Sequence, residues 1–239
     1  MKILSYNIHG CVGRNGEKNP AATLEVIKEI NADMVALQEV EDHRELDKSF
    51  LRALDRLDYK HVIYGPTLFK PEGEYGNLFM SRFPMEKVER LDLTVAGREP
   101  RGAVRCELQI GQTRLKVTAT HLGLTARERR IQLVKLLRER SHSKPKLDED
   151  LDQDVDLFLG DFNEWFPLSC CNRWLNSYFG QHKNWHTFPA RFPILKLDRI
   201  YVRPSSRLIY MHTHQSELSK RASDHLPLVA EIQLSWIDC

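Results

Sequence analysis

The side chains of this sequence that can do chemistry stand at the ends of short apolar runs. Asn7 lies in SYNIHG, Glu39 in ALQEV, Arg101 in EPRGA, His121 in ATHLG, Asp161 and Asn163 in LGDFN, Asp198 in LDRIYV, and Asp224 and His225 in SDHLP. Several carboxylates, two amides and two histidines make an oxygen-rich donor set. Hard ions such as Mg²⁺ select carboxylates, amide oxygens and water, whereas zinc prefers thiolate and imidazole in a tighter shell. A divalent ion held by one or two carboxylates keeps sites for water and a phosphate oxygen. The remaining acids and histidines can then activate a nucleophile and stabilise charge. The chemistry this set suits is phosphoester hydrolysis.

Each residue alone has a plainer explanation. Glu39 could complement the dipole of a following helix, and Asp161-Phe162-Asn163 could be only a turn, since Asp and Asn favour turns. His121 could be a hydrogen-bonded, partly buried histidine. Asp224-His225 could be the turn before a strand, Asn7 could bond its own backbone, and Asp198-Arg199 could be a local ion pair. The case for a site therefore rests on the elements that position these residues and on their order along the chain.

KILSYNI alternates and is rich in strand formers, and a helical pattern opens at Asn19-Pro20 with Leu24, Ile27 and Ile30 on one face. Residues 34–40 form a second apolar run ending in Gln38-Glu39, and residues 42–57 carry Leu46, Phe50, Leu54 and Leu57 at helical spacing. From residue 61 the pattern changes to short antiparallel runs, HVIYG, GNLFMS, VERLDLTV, AVRCELQI and RLKVTATHL, with a turn at Gly111-Gln112 between the last two. Thr125 and Glu128 form a capping box that opens a helix to about residue 140, with Ile131, Val134 and Leu137 inward and arginines outward. The six acids between residues 148 and 156 read as a solvated connection. DLFLGDFN, KLDRIYV and the SDHLPLVAEIQL region then repeat the pattern of an apolar run with a polar end. With no internal repeat and no linker, one domain over residues 1–239 is expected, built as two packed sheets with helices on their outer faces. The polar strand ends would then meet at one rim.

Composition narrows the function further. Lys and Arg number 35 against 33 Asp and Glu, a formal net charge of +2, which is too little for binding carried mainly by a basic field on a polyanion. No apolar run approaches the roughly 18 residues of a membrane span, and polar residues interrupt MKILSYNIHG too early for a signal peptide, so a cytoplasmic protein is expected. Cys11, Cys106, Cys170, Cys171 and Cys239 lack the spacing of a zinc site or a disulfide framework and read as buried or idle thiols.

SYNIHG, LQEV, the THL strand end, GDFN, LDRI and SDH, in this order from residue 5 to residue 225, closely resemble the endonuclease/exonuclease/phosphatase superfamily. That group includes pancreatic-type deoxyribonuclease, abasic-site endonucleases, neutral sphingomyelinases and inositol-polyphosphate 5-phosphatases. The TFPA and LDRIYV segments resemble its small bacterial members most. The resemblance implies a four-layer α/β sandwich, two mixed sheets flanked by helices. It also implies Glu39 as principal ligand of Mg²⁺, with Mn²⁺ as substitute, and Asn7 and Asp224 completing or orienting the metal shell. Asp161 would position or deprotonate the attacking water, helped by Asn163, which would also bind a phosphate oxygen. His225 would stabilise the pentacovalent phosphorus, held in its tautomer by Asp198. His121 would be the second phosphate-side histidine and general acid, and Arg101 would contact the phosphate. Which carboxylate acts as base stays open. Arg98 and Arg105 compete with Arg101, and Tyr64 and Tyr75 both compete for the place of the family's active-site tyrosine.

The expected activity is hydrolysis of a phosphodiester, in nucleic acid or a lipid headgroup, with no obligate protein partner. A phosphoinositide-type phosphomonoesterase is the alternative, with a non-catalytic binding module behind it. Nine of the 21 aromatic residues fall between residues 162 and 193, directly after GDFN. Most should pack the core, and the rest could stack on a base or contact lipid chains. The helix bearing Arg127, Arg129, Arg130, Lys135, Arg138 and Arg140 reads as a solvated basic face.

Overall fold

The computed structural model describes residues 1–43, 49–141 and 154–234. Their strands form two mixed sheets. The first runs β10-β11-β1-β2-β4-β3 and the second β5-β6-β7-β8-β9. In chain order these are β1 (Lys2–Asn7), β2 (Met34–His43), β3 (His61–Lys70), β4 (Gly73–Ser81), β5 (Glu86–Asp92), β6 (Gly102–Ile110), β7 (Thr113–His121), β8 (Asp154–Asp161), β9 (Asp198–Arg203), β10 (Leu208–Thr213) and β11 (Leu228–Ile232). Each sheet contains one parallel pair, β1 with β2 and β7 with β8, and every other pairing is antiparallel. A parallel pair needs a helical crossover. Helix α1 (Pro20–Ile30) supplies the first and helix α3 (Ala126–Ser141) leads into the second.

The inner faces of the sheets bury one apolar layer that includes Ile3, Phe79, Val117, Leu157 and Val202. Outside the first sheet, Leu24, Ile27 and Ile30 of α1 and Phe50 of α2 (Phe50–Ala53) cover Leu4, Val35 and Leu37. Outside the second, Leu133 and Leu136 of α3 and Leu175 and Phe179 of α4 (Cys170–Phe179) cover Phe158 and Tyr201. Four layers result, as expected. Helix α1 starts where the sequence places it, because the Asn19 side chain accepts the Ala22 N–H at 3.1 Å and Pro20 follows. Thr125 and Glu128 close the expected capping box, with reciprocal bonds of 3.0 and 3.3 Å. Gly111 and Gln112 make the two-residue turn between β6 and β7, with Gly111 at φ 58°.

Three expectations need correction. The helix expected over 42–57 is confined to the segment from Phe50 to Arg56, because β2 continues to His43 in register with β4; residues 44–48 lie outside the described residues. In α3 the inward face is Glu128, Arg129, Gln132, Leu133 and Leu136, and Ile131 is 47% exposed. Polar side chains win that face because each finds a buried partner. Gln132 accepts the Gly123 N–H and donates to Leu93 O, and Arg129 pairs with Glu164 at 3.2 Å. Of the acidic run, Asp154 and Asp156 belong to β8, where Asp154 takes a two-pronged bond from Arg114 at 3.0 and 2.8 Å. Residues 148–153 and Cys239 lie outside the described residues, and Cys11, Cys106, Cys170 and Cys171 are free thiols. The sequence pattern did not anticipate α4 and β10.

Candidate active site

In an open sheet with parallel strands, ligands bind beyond the carboxyl ends of those strands. The carboxyl end of β1 bears Asn7, the register of β2 passes through Glu39, and β7 and β8 end at His121 and Asp161. His121 pairs across the ladder with Asp161, and Asp161 pairs with Asp198, so these three lie in one row. The two sheets thus bring their polar ends to one place.

Local backbone devices aim the side chains. Between Leu37 and Val40, β2 carries one residue more than the β4 stretch it faces, a bulge that puts Glu39 at φ 58°. A non-glycine residue in this left-handed region is strained, and bulges re-aim side chains in this way. Asn163, two residues past Asp161, stands at φ 49°. Gly160 is at φ 140°, and a Cβ there would fall 1.8 Å from Thr120 O. The Gly before Asp161 is therefore required by the close approach of β7 to β8.

Asp161 is the hub. It is 1% exposed, its Oδ1 accepts the Asn163 N–H at 2.8 Å, and its Oδ2 accepts from Asn7 Nδ2 at 3.0 Å. His121 Nε2 lies 3.6 Å and His225 Nε2 3.7 Å from the same Oδ2. Asn7 Nδ2 also bonds Glu39 Oε1 at 2.9 Å, while Asn7 Oδ1 accepts the His9 N–H at 3.0 Å. Asn7 thus turns its nitrogen, not its oxygen, toward the carboxylates, and as a donor it orients both of them. Asp224 does not join this group. Its carboxylate stands 3.8 Å from His9 Nδ1 and 3.4 Å from the Ser223 hydroxyl.

The two histidines are held in opposite states. Burial alone would push the His225 imidazole down, but Asp198 and then Asp161 overcome it and raise the ring to about 10. Asp198 Oδ2 lies 2.8 Å from His225 Nδ1, the partner that the sequence suggested for this ring. Phe188 packs against the same ring with centroids 4.9 Å apart. Burial and then the Arg101 guanidinium push His121 down to about 3. Arg101 Nη1 donates to His121 Nδ1 at 2.9 Å. Sequence reasoning expected a general acid here; the ring lies buried beside a guanidinium, with Nε2 3.6 Å from Asp161 Oδ2. Asn163 Nδ2 approaches the same Nε2 at 3.0 Å and bonds Leu122 O at 2.9 Å.

Of the competing arginines, Arg101 is the one at the site, buried and also bonded to Glu99 at 3.1 Å, whereas Arg105 pairs with Glu89. Tyr75 lines a cleft with Glu39, Asn77, Arg101 and His121. Burial, then the Glu39 charge, push its hydroxyl up. Tyr64 turns its hydroxyl to Val40 O instead. Strand alternation carried the missing signal for Tyr75, since it shares a strand face with Asn77, but only the pairing of β4 with β2 brings that face to Glu39.

A family model described as the endonuclease/exonuclease/phosphatase family matches residues 4–225. The chain belongs to this family. It is 33% identical over 257 residues to the uncharacterised protein YbhP of Escherichia coli, covering 98% of this chain and 96% of that one. Among solved structures it resembles an endonuclease/exonuclease/phosphatase protein from Beutenbergia cavernae, with TM-score 0.74, 20% identity, 98% of this chain and 72% of that one. It also resembles D. rerio TDP2 complexed with a single-strand DNA product, with TM-score 0.69, 16% identity, 96% of this chain and 97% of that one. Members of the family are hydrolases acting on phosphodiesters.

The donor set can be tested against the family's divalent metal. Half-buried Glu39 Oε1 and buried Asp161 Oδ2 share one amide donor, and Asp161, Asp198 and His225 offer ligand atoms within 4.8 Å of one another. Glu39 and Asp161 are both hard oxygen donors, and among the described residues no cysteine stands with them. The residues therefore fit a hard divalent ion.

The charge of His225 depends on Asp198, so Asp198→Asn should bring the imidazole down from about 10 toward or below the ordinary histidine value of about 6.5. An NMR titration of the ring checks this. A ring that titrates near the ordinary value in the unsubstituted protein contradicts the assignment.

Proposed function

We propose that the protein is a Mg²⁺-dependent phosphodiesterase that cleaves its substrate by in-line attack of water. The observation that carries this reading is the meeting of Asn7, His121 and Asp161, at the carboxyl ends of parallel strands, with Glu39 on the β2 bulge and His225 in the turn before β11. A binding module has no physical need for an acid approached by two histidines held in different charge states, with a second acid on the same amide donor.

Bound Mg²⁺ supplies Lewis-acid polarisation of a phosphate oxygen. Glu39 is its principal protein ligand, and Mn²⁺ can replace it. Asn7 holds the Glu39 and Asp161 carboxylates in mutual position, and Asp224 supports the His9 side of the cleft. Asp161 orients the attacking water and takes its proton, with Asn163 fixing the Asp161 carboxylate through its backbone N–H. His225, as imidazolium, donates Nε2–H to a phosphoryl oxygen and offsets the charge that builds there. His121 donates to the phosphate from Nε2, and Arg101 adds positive charge behind it. The leaving oxygen takes its proton from solvent.

Glu39→Gln removes a charge and almost no volume, so folding should persist while Mg²⁺ affinity and diester turnover fall. The fall should exceed the about 10 to 100-fold typical of residues that only support a ligand. Calorimetric titration with Mg²⁺, beside turnover of bis-p-nitrophenyl phosphate with Mg²⁺ and with EDTA, measures both. Unchanged affinity moves the metal elsewhere.

His121→Ala should cost roughly 10²-fold on nitrophenyl and alkyl diesters alike, because a hydrogen-bond donor to the phosphate serves every leaving group. A loss confined to the alkyl substrate returns His121 to the role of general acid.

A further inference from the structure

Three segments leave the row formed by His121, Asp161 and Asp198: the turn after β7, the loop after β8 and the loop before β9. They carry Leu124, Trp165, Phe166, Leu168, Phe192 and Ile194, every one exposed, with Leu168 at 79% and Ile194 at 70%. Single exposed apolar residues are ordinary, but a cluster of large ones around a cleft marks a binding surface.

These side chains are held out by structure. The buried Arg129–Glu164 pair joins the first two segments. Arg129 Nη1 bonds Leu124 O at 2.6 Å, Glu164 Oε1 accepts the Phe166 N–H at 3.0 Å, and the guanidinium lies 5.1 Å from the Trp165 ring. In the third, Ile194 N–H bonds Phe188 O at 2.9 Å, and Ala190 N–H bonds Asp224 O at 2.7 Å, which ties the loop to the strand turn that carries His225.

Charge says what the surface meets. Residues 162–197 contain one acid, Glu164, and it is buried against Arg129. The cations of the same stretch, Arg173, Lys183, Arg191 and Lys196, have no exposed acid there to balance them, although the whole chain is nearly neutral. Apolar tips among basic residues fit the boundary between anionic headgroups and acyl chains. Single-stranded nucleic acid is bound on aromatic platforms. Leu124, Leu168 and Ile194 offer no ring to stack on, and two of them are the most exposed of the set.

We propose that this rim docks on an anionic phospholipid surface and presents headgroup phosphodiesters to the cleft. The inference rests on the phosphodiesterase reading for the bond that is cut, but not for the docking itself.

The test is cosedimentation of the full chain with vesicles of phosphatidylglycerol or of phosphatidylcholine, beside binding of a single-stranded oligonucleotide. Phe192→Asp with Ile194→Asp, and separately Leu168→Asp, probe two segments at exposed positions where the fold should tolerate the change. Turnover of bis-p-nitrophenyl phosphate, unchanged by these substitutions, reports the folded cleft. Expected are binding to phosphatidylglycerol vesicles well above phosphatidylcholine, and a loss of at least about tenfold in each variant, since each places a charge where an apolar side chain was buried. No vesicle binding, binding that the variants keep, or oligonucleotide binding that the variants abolish in its place overturns the proposal. Vesicle binding without diester turnover overturns the phosphodiesterase reading and leaves the docking standing.

Discussion

Two sheets that each end in polar side chains need something at their seam, and here it is the side-chain amide of Asn7. Its nitrogen reaches Glu39 of its own sheet at 2.9 Å and Asp161 of the other at 3.0 Å. Its oxygen is occupied by the His9 N–H, which leaves the nitrogen no other orientation. Two carboxylates sharing one amide donor repel each other, the more so with Asp161 buried. Asn7 and the positive His225 ring offset that repulsion, and a divalent cation offsets it further. The acids proposed to hold a metal are thus set in place by the same contact that joins the sheets.

The histidines show how one cleft holds two different proton states a few ångströms apart. Both rings are buried, and both approach Asp161 Oδ2, at 3.6 and 3.7 Å. The second neighbour separates them: a carboxylate, Asp198, lies on Nδ1 of His225, and a guanidinium, Arg101, on Nδ1 of His121. The carboxylate raises the first ring to about 10, and burial with the guanidinium pushes the second down to about 3.

Much of this was legible in the chain. Strand ends are legible because an apolar run that stops at Asn, Glu, His or Asp marks where burial ends, and SYNIHG, LQEV, ATHLG and LGDFN each did so. The Asn19 cap and the Thr125–Glu128 box were readable because capping is local. What escaped depends on pairing. The bulge that aims Glu39 exists only against β4, and the continuation of β2 to His43 displaced the helix that apolar spacing suggested. In α3 the apolar stripe through Ile131, Val134 and Leu137 lost to a face containing Arg129 and Gln132, because a buried polar group with a partner packs as well as an apolar one. The neutral state of His121 was hidden too, since nothing local to ATHLG shows that Arg101 lies on its ring.

The contact between Asn7 and Asp161 carries the account, and a double-mutant cycle measures it most directly. Unfolding free energies of the metal-free protein are compared for Asn7→Ala, Asp161→Ala and the pair. A buried bond to a charged acceptor predicts a coupling of about 1.5 to 3 kcal/mol. A coupling below about 0.5 kcal/mol, with the two effects simply adding, contradicts the claim that this amide joins the two sheets at the site.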